Sequence, residues 1–314
     1  MKPCILVTGG HGFIGAWVLR ELRRHDCRIV VLDLNPQLPA WARWPELTLA
    51  DITVVPGELM TPTLLERTLE AHPISHVIHL IGLLTPACQQ DPVRGAEVNV
   101  LGTLRLFELL RTRQSQLQGV SYASSYAVHG PTGGTRSHPE TFYGVYKRTV
   151  EMLANQYWRH FGISSVGLRP YVVYGAGREV GISAGPSLAA RAAALRQPYV
   201  CPFTGRVGLV FVEDVARAFV RCALATPQGA HTIDMPGEEV EVDELLDALE
   251  EIRPGSKQYL SASGPPLPAT REEQPHLLNR LFADWQDTPW REGLRRTVNA
   301  WEVGSPKCEV RSPK

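Results

Sequence analysis

A glycine-rich turn near the start of the chain constrains its fold more than any other feature. The apolar run Cys4–Thr8 predicts a buried strand, and Phe13–Arg24 has the apolar periodicity of a helix. Between them, Gly9, Gly12 and Gly15 are spaced three residues apart. Such a turn lets a strand pass directly into a helix whose N-terminus and backbone approach a phosphate group closely. The turn therefore predicts a site for the pyrophosphate of a dinucleotide.

Strands and helices alternate along the first half of the chain. Besides Cys4–Thr8, β-branched runs predict strands at Arg28–Asp33, Leu49–Val55, His76–Ile81, Gly119–Ser124 and Ser164–Arg169. Apolar periodicity predicts further helices at Thr61–Ala71, Gly95–Arg113, Tyr143–Phe161 and Asp243–Ile252, the last with Asp243 as its N-cap. Strands separated by helices are typical of a parallel sheet covered by helices on both faces. The predicted fold class is therefore α/β, a Rossmann-type doubly wound parallel sheet with a small C-terminal substrate-binding region.

The character of the sequence changes after about Tyr174, where glycine and proline become frequent. Residues 1–173 are predicted to form the dinucleotide-binding domain, of Rossmann type, and residues 174–303 mainly a substrate-binding region. Within the second region, residues 207–221 are predicted to return to the first domain, and Pro198–Gly208 is predicted to be irregular. Residues 304–314 are predicted to be a flexible tail.

Composition excludes several classes of function. The chain has 314 residues, with 32 Lys and Arg against 32 Asp and Glu, and no long basic run that would favour a nucleic-acid partner. Its six scattered cysteines lack the spacing of a metal site or a disulfide framework. The apolar run at the start is too short for a signal peptide, and no stretch has the length of a membrane span. We expect a cytoplasmic protein without a metal or a membrane partner.

Asp33 ends the second predicted strand, where a carboxylate accepts hydrogen bonds from the adenosine ribose and repels a 2′-phosphate. This position favours NAD over NADP, although a strand-end aspartate can also simply cap a turn. Glu58, after the third strand, is a candidate neighbour of the adenine. The other residues predicted to contact the cofactor are Phe13, Ile14, Leu59, Leu80, Ile81, Gly82, Asn99, Tyr143 and Lys147.

Tyr143 and Lys147 lie one helical turn apart, so their side chains share a face of the predicted helix. Lowering a phenol pKa from ~10 to ~7 requires roughly 4 kcal/mol of preferential phenolate stabilisation. The Lys147 ammonium and a positive nicotinamide ring could supply it. Tyr146 has no lysine four residues on. A hydroxyl at the end of the fifth strand could hold the reacting oxygen, and Ser125 is preferred over Ser124 for this role.

The glycine turn, Asn99-Val100-Leu101-Gly102-Thr103, the Ser124-Ser125 pair, Tyr143 with Lys147, and Arg169–Gly175 occur in the order typical of one enzyme family. The chain resembles the extended short-chain dehydrogenases/reductases, in the NAD-dependent epimerase/dehydratase branch that includes nucleotide-sugar 4-epimerases. The stretches 210–216 and 285–294 also resemble family elements. The resemblance implies a Ser125, Tyr143 and Lys147 triad, NAD as hydride carrier, and homodimers formed by the helices at Gly95–Arg113 and Tyr143–Phe161.

Some positions depart from the family pattern. Tyr126 and Ala127 replace the Asp-Glu pair of the 4,6-dehydratases, so elimination is disfavoured and Tyr126 becomes a candidate substrate contact. Val172 and Val207 stand where nucleotide-sugar enzymes usually have an asparagine and a diphosphate-binding arginine. The nearby candidates for an anion contact are Arg178 and Arg206.

Together these features predict NAD-dependent hydride transfer at a secondary alcohol or ketone carbon of a small, carbohydrate-like substrate. A (nucleotide-)sugar epimerase, which keeps its cofactor bound while the substrate is oxidised and reduced again, is narrowly preferred. One alternative is a dehydrogenase or reductase of a smaller sugar or hydroxy acid that releases its cofactor. Another is a non-catalytic NAD(H)-binding regulatory protein, since fold does not fix function.

Overall fold

The computed structural model of the chain describes residues 2–42, 52–130, 138–225, 227–267 and 277–303. Its strands are β1 (Cys4–Thr8), β2 (Arg28–Asp33), β3 (Ile52–Pro56), β4 (His76–His79), β5 (Gly119–Ala123), β6 (Ser165–Pro170), β7 (Val172–Tyr174), β8 (Tyr199–Cys201), β9 (Arg206–Phe211), β10 (Ala230–Met235), β11 (Glu238–Glu241) and β12 (Leu260–Ala262). Its α-helices are α1 (Phe13–Leu22), α2 (Leu64–Ala71), α3 (Thr85–Gln90), α4 (Pro92–Ala96), α5 (Gly102–Arg111), α6 (Phe142–Phe161), α7 (Gly185–Leu195), α8 (Val212–Ala225), α9 (Val242–Ile252), α10 (Leu277–Leu281) and α11 (Trp290–Val303). The tail at 304–314 and the predicted strand residues 49–51 lie outside the described residues.

Seven strands form one sheet in the order β3-β2-β1-β4-β5-β6-β10, and every neighbouring pair is parallel. In this order the direction of strand addition reverses between β1 and β4, and Thr8 at the end of β1 lies opposite both Leu32 and His79. Open parallel sheets bind ligands in the crevice at such a reversal, beyond the carboxyl ends of the strands. The predicted α/β, Rossmann-type sheet is confirmed.

Both faces of the large sheet are buried, which explains its continuous apolar strand sequences. Along β1, Ile5 and Val7 pack into one core together with α1 and α8, whereas Cys4 and Leu6 pack into a second core with α5 and α6. Because successive side chains of a strand point to opposite faces, a single apolar run supplies both cores.

Two smaller sheets follow the sixth strand. β9 pairs in parallel with β7 and antiparallel with β11, and β8 pairs in parallel with β12. The prediction that Pro198–Gly208 is irregular is wrong, since this segment contains β8 and the start of β9. Each of these strands pairs with a strand that lies far along the chain, and a local sequence pattern does not reveal such pairing. Helix α8, which follows β9, packs on α1 and on β5 of the large sheet.

The predicted helix ends lie within two residues of the observed ones, with larger differences at two places and a different N-cap at a third. The helix predicted to begin at Thr61 begins at Leu64. The segment predicted as one helix over Gly95–Arg113 consists of α4, one turn of π-helix at Glu97–Leu101, and α5. Asp243 is not an N-cap: Glu241 precedes α9 and forms a reciprocal capping box with Glu244. No α-helix among the described segments is long and apolar enough to cross a membrane.

Candidate active site

The glycine turn lies at the carboxyl end of β1, in the crevice between β1 and β4. Gly9 has φ +75°, and a Cβ there would lie 3.0 Å from the backbone nitrogen of Ile81. A Cβ at Gly15 would lie 2.1 Å from the carbonyl oxygen of Gly9, so both positions require glycine. At Gly12 the nearest atom to such a Cβ is the Gly9 oxygen at 3.4 Å, which leaves the side of the turn open. This geometry fits the close approach of a pyrophosphate.

Asp33 is fixed beside this turn at the end of β2. Its Oδ2 accepts a hydrogen bond from the His11 backbone N–H at 2.9 Å, and its Oδ1 accepts one from the Asn35 N–H at 2.9 Å. The carboxylate therefore caps the local turn, as the alternative interpretation required. It is also only partly buried, and each carboxylate oxygen can accept more than one hydrogen bond. Capping and ribose binding are thus compatible.

Three predicted cofactor residues converge where β4 enters the following loop. A Cβ at Gly82 would lie 2.6 Å from Asn99 Oδ1 and 3.1 Å from Lys147 Nζ. The Asn99 amide nitrogen donates to the carbonyl oxygens of Leu83 at 3.2 Å and Gly95 at 3.0 Å. Its Oδ1 is buried and has no hydrogen-bond partner within the described part of the chain. Asn99 Oδ1 can accept a hydrogen bond from one ribose hydroxyl, and the Lys147 ammonium can donate one to the other. The residues present therefore fit the ribose of NAD.

The π-helical turn Glu97–Leu101 carries Asn99 into this position. Single π turns inside helices are frequent at functional sites. Below Asn99, the Thr103 hydroxyl donates to the Asn99 carbonyl oxygen at 2.8 Å and lies 2.9 Å from His79 Nε2, while Thr8 Oγ1 lies 2.6 Å from His79 Nδ1. Burial lowers the pKa of His79 to about 3, with a smaller effect of the Lys147 charge. A neutral His79 thus connects the glycine turn to Asn99.

Sequence reasoning missed the role of His79, because a lone histidine at a strand end carries no signal of its own.

The other predicted cofactor residues surround the same crevice. Leu80 and Ile81 follow β4 and lie against Gly9, and Leu59 is buried against Gly102. Of the remaining three, Glu58 forms an ion pair with Arg94, the ring centroid of Phe13 is 6.3 Å from that of Trp41, and the partly buried Ile14 packs against the apolar core.

The three predicted catalytic residues come together at the start of α6. The side chains of Tyr143 and Ser125 lie near enough to interact, and this interaction acts to lower the pKa of Tyr143. The Nζ atom of Lys147 lies 5.6 Å from the centroid of the Tyr143 ring and donates to the carbonyl oxygen of Ala123 at 2.8 Å. Thr141 caps the helix by accepting from the Gly144 N–H at 3.0 Å. This cap fixes the start of α6 next to Tyr143 and Lys147.

The two competing residues have other partners. Ser124 donates to Glu151 Oε1 at 2.5 Å, and the Tyr146 hydroxyl donates to the Pro92 carbonyl oxygen at 2.7 Å. Glu151 in turn receives two hydrogen bonds from Arg169, at 2.6 and 2.7 Å, in a buried ion pair that joins α6 to β6. The spacing of Glu151 four residues after Lys147 would have placed it on the same face of the helix.

The electrostatics of Tyr143 differ from the expectation. Burial raises the pKa of Tyr143, whereas the hydrogen bond from Ser125 and the positive charge of Arg178 act to lower it. The expected lowering by Lys147 is not seen in this structure. Burial instead lowers the pKa of Lys147 itself, to about 8.

The candidate substrate residues differ in their burial and in their partners. Arg178 is half-buried close to Tyr143, whereas the exposed Arg206 is held by Glu241 at 2.9 Å and Glu239 at 3.8 Å. Tyr126 is buried, with its ring centroid 5.1 Å from that of Tyr171 and 4.9 Å from that of His129.

The two departures from the family pattern, Val172 and Val207, are both buried in the core as parts of β7 and β9.

A sequence profile of the NAD dependent epimerase/dehydratase family matches residues 5–235. The chain belongs to this family. NAD is the family's cofactor, in agreement with the fit of the crevice described above.

Individual relatives support the same grouping. UDP-glucuronate 4-epimerase 3 of Arabidopsis thaliana is 29% identical over 184 residues, which cover 54% of this chain and 42% of that protein. UDP-glucose 4-epimerase of Thermotoga maritima, solved with UDP-glucose, superimposes with a TM-score of 0.81 at 22% identity and covers 96% of this chain and 99% of its own. MoeE5, solved in complex with UDP-glucuronic acid and NAD, has a TM-score of 0.77 at 25% identity, covering 96% of this chain and 99% of its own. The chain spans less than half the length of the curated relatives it matches: 42% of UDP-glucuronate 4-epimerase 3 and 48% of a UDP-glucose 4-epimerase.

Proposed function

We propose that this protein catalyses NAD-dependent epimerisation of a sugar carbinol, with a UDP-sugar as substrate. One observation carries the proposal: the Tyr143 ring lies beside Lys147 and interacts with Ser125, and Lys147 in turn lies next to Gly82 and Asn99. This arrangement puts a proton acceptor next to the place where a nicotinamide ribose fits. A purely regulatory NAD-binding protein would have no need of it.

Each residue has a distinct part in the reaction. Bound NAD supplies the hydride acceptor and, in the reverse direction, the hydride donor. Tyr143, as phenolate, takes the proton of the substrate hydroxyl and later returns it to the same oxygen. Ser125 donates a hydrogen bond to that oxygen, and Lys147 and Asn99 hold the ribose. Inversion then requires the intermediate ketone to present its opposite face before it is reduced.

The substrate class rests on the relatives, which are UDP-glucose and UDP-glucuronate 4-epimerases by name. Because Val172 and Val207 are core residues here, we propose that Arg178 and Arg206 contact the diphosphate instead. Arg206 is exposed at the start of β9, where a diphosphate could replace its glutamate partners. Tyr126 is proposed to line the sugar site.

The domain assignment remains part of this proposal. Residues 1–173 would hold the cofactor and residues 174–303 mainly the substrate, with 207–221 packed on the cofactor domain. The packing of α8 on α1 and β5 supports the last point.

We also propose that the protein is a cytoplasmic homodimer. Its pairing surface would consist of α4, the π turn, α5 and α6. These helices expose Val93 (72%), Met152 (62%), Leu101 (46%) and Val145 (43%), and apolar side chains exposed in such number favour a protein partner. Sedimentation equilibrium of the wild type and of Met152→Lys tests this; a wild-type monomer at all concentrations would contradict it.

The decisive experiment follows product and cofactor together. Purified protein is incubated with UDP-glucose or UDP-glucuronate, the sugar products are separated by chromatography, and NADH absorbance is recorded throughout. An epimerase interconverts the two C4 epimers without net accumulation of NADH. Steady accumulation of NADH with added NAD would instead identify a dehydrogenase, and no turnover with either substrate would reject the proposed substrate class.

A further inference from the structure

Two buried histidines lie at opposite ends of β4, His76 at its start and His79 at its end. Burial lowers the pKa of both, to about 3 for His79, where the charge of Lys147 adds a smaller effect in the same direction. Both imidazoles are therefore neutral at neutral pH, and each carries a proton on only one of its ring nitrogens. Of the two, His79 lies at the carboxyl end of the strand, beside the crevice.

The hydrogen bonds around His79 allow only one position for its proton. Thr103 Oγ1 lies 2.9 Å from His79 Nε2 and donates its own proton to the Asn99 carbonyl oxygen at 2.8 Å. Because a hydroxyl has a single proton, Thr103 must accept from the ring, so Nε2 carries the proton. Nδ1 is then an acceptor, and the Thr8 hydroxyl at 2.6 Å donates to it. The donors therefore follow one direction, from Thr8 through His79 and Thr103 to Asn99.

This series of hydrogen bonds joins two parts of the proposed cofactor site. Thr8 ends β1 directly before Gly9, and its backbone carbonyl oxygen also accepts from the Leu80 N–H at 3.0 Å. At the other end, the Asn99 amide nitrogen donates to two backbone carbonyl oxygens, and the buried Oδ1 has no partner among the described residues. The position of this oxygen next to Gly82 depends on where the π turn holds the Asn99 backbone.

The π turn gives the Thr103 hydroxyl a particular importance. The Gly102 N–H donates to the Glu97 carbonyl oxygen, five residues back, instead of four as in an α-helix. Thr103 adds a side-chain hydrogen bond to this irregular turn. His79 keeps that bond in place, because a hydroxyl that accepts from Nε2–H has its proton free to point at Asn99.

We propose that His79 is a positioning residue for the nicotinamide ribose of NAD, and that it acts through Thr103 on the backbone of Asn99. Both ring nitrogens are occupied by threonine hydroxyls, so His79 itself offers the cofactor no polar atom. The inference rests on the proposed function only in placing the nicotinamide ribose at Asn99, and it requires no sugar substrate.

The first test compares NAD with ADP, which lacks the nicotinamide ribose, by calorimetry. Thr103→Val keeps the shape of the side chain and removes the hydroxyl. NAD affinity should fall at least about fivefold, as expected for the loss of one net hydrogen bond, and ADP affinity should stay nearly unchanged. His79→Leu should have the same effect on NAD. His79→Gln, whose amide N–H can replace the ring donor to Thr103, should bind NAD more tightly than His79→Leu.

His76→Leu is the matched control, because it removes a buried histidine from the same strand. The Nδ1 atom of His76 lies 2.9 Å from the Ser75 hydroxyl, at the end of β4 remote from the crevice. NAD affinity should be unchanged in this variant. Circular dichroism establishes that each variant is folded.

The second test uses the wild type alone and so does not depend on the folding of a variant. ¹⁵N spectra of the histidine rings, with or without NAD, should show His79 with a proton on Nε2 and none on Nδ1 at neutral pH. A proton on Nδ1, or on both nitrogens, overturns the inference. So do unaltered NAD affinity in Thr103→Val, equal losses of NAD and ADP affinity in that variant, or an equal loss of NAD affinity in His76→Leu.

None of these measurements contains a sugar nucleotide. A negative result at His79 therefore leaves the proposed epimerase activity standing. Conversely, failure to epimerise a UDP-sugar changes neither the proton position on His79 nor the affinity for NAD.

Discussion

The N-terminal and C-terminal halves of this molecule place the residues proposed to bind cofactor and substrate in different ways. In the first half, Gly9 and Gly15 act within one turn, and Tyr143 and Lys147 within one turn of α6. In the second half, β8 pairs with the distant β12, and β9 lies between β7 and the distant β11. A site formed by neighbours in sequence keeps its chemistry while the rest of the chain changes. A site formed by distant segments can change its ligand through many small substitutions, such as Val172 and Val207.

The largest effect that this comparison predicts is at Tyr143. Tyr143→Phe removes the proposed base and leaves the glycine turn, Gly82 and Asn99 unchanged, so turnover should fall by on the order of 10²-fold or more. NAD affinity, measured by calorimetry, should stay nearly unchanged. Tyr146→Phe is the matched control, because that hydroxyl bonds only the Pro92 carbonyl among the described residues. Similar losses in both variants would remove Tyr143 from its catalytic role.

The next effect is on NAD affinity and concerns the proposed ribose pocket, which is formed by Gly82, Asn99 and Lys147. In Gly82→Ala the new methyl group would lie 2.6 Å from Asn99 Oδ1 and 3.1 Å from Lys147 Nζ. We expect NAD affinity to fall by at least about tenfold, or roughly 1.4 kcal/mol. Fluorescence titration with NADH measures it. Unaltered affinity would mean that the cofactor avoids this pocket.

A smaller effect is expected on UDP affinity at the two arginines proposed to contact the substrate. If Arg178 and Arg206 contact a diphosphate, UDP should bind the wild type and bind about tenfold more weakly to the Arg178→Ala, Arg206→Ala double variant. Calorimetry of the single variants apportions the loss. Absence of UDP binding to the wild type at millimolar concentration would point to a smaller substrate and to the dehydrogenase alternative.

The smallest effect is expected at Asp33, whose carboxylate is proposed to disfavour the 2′-phosphate of NADP. Asp33→Asn keeps the shape of the side chain and removes its repulsion of a 2′-phosphate. The wild type should prefer NAD, and the variant should narrow that preference by a few-fold, at about 1 kcal/mol for charges 4 Å apart in water. Equal affinities for NAD and NADP in the wild type would contradict the role assigned to Asp33.

The same contrast governs what the sequence could predict. The existence of the first six strands along the chain followed from local patterns. The nearness of Ser125 to Tyr143 followed from the family resemblance and from the rule that parallel strands bring their carboxyl ends to one edge. The raised pKa of Tyr143 could not be predicted, since it depends on burial by segments that are remote in sequence. The position of Arg178 beside that tyrosine depends on the path of the chain after β7, for which no local signal exists.

The single π turn at Glu97–Leu101 has an evolutionary consequence. A π turn accommodates one residue more than regular helix geometry, and each residue of an α-helix rotates about 100°. Deleting one residue from this turn would restore an uninterrupted helix. It would also rotate Asn99 away from Lys147 relative to the residues that follow. A deletion of this kind would make the helix more stable and weaken the binding of the cofactor. The π turn is therefore a trade-off between stability and activity.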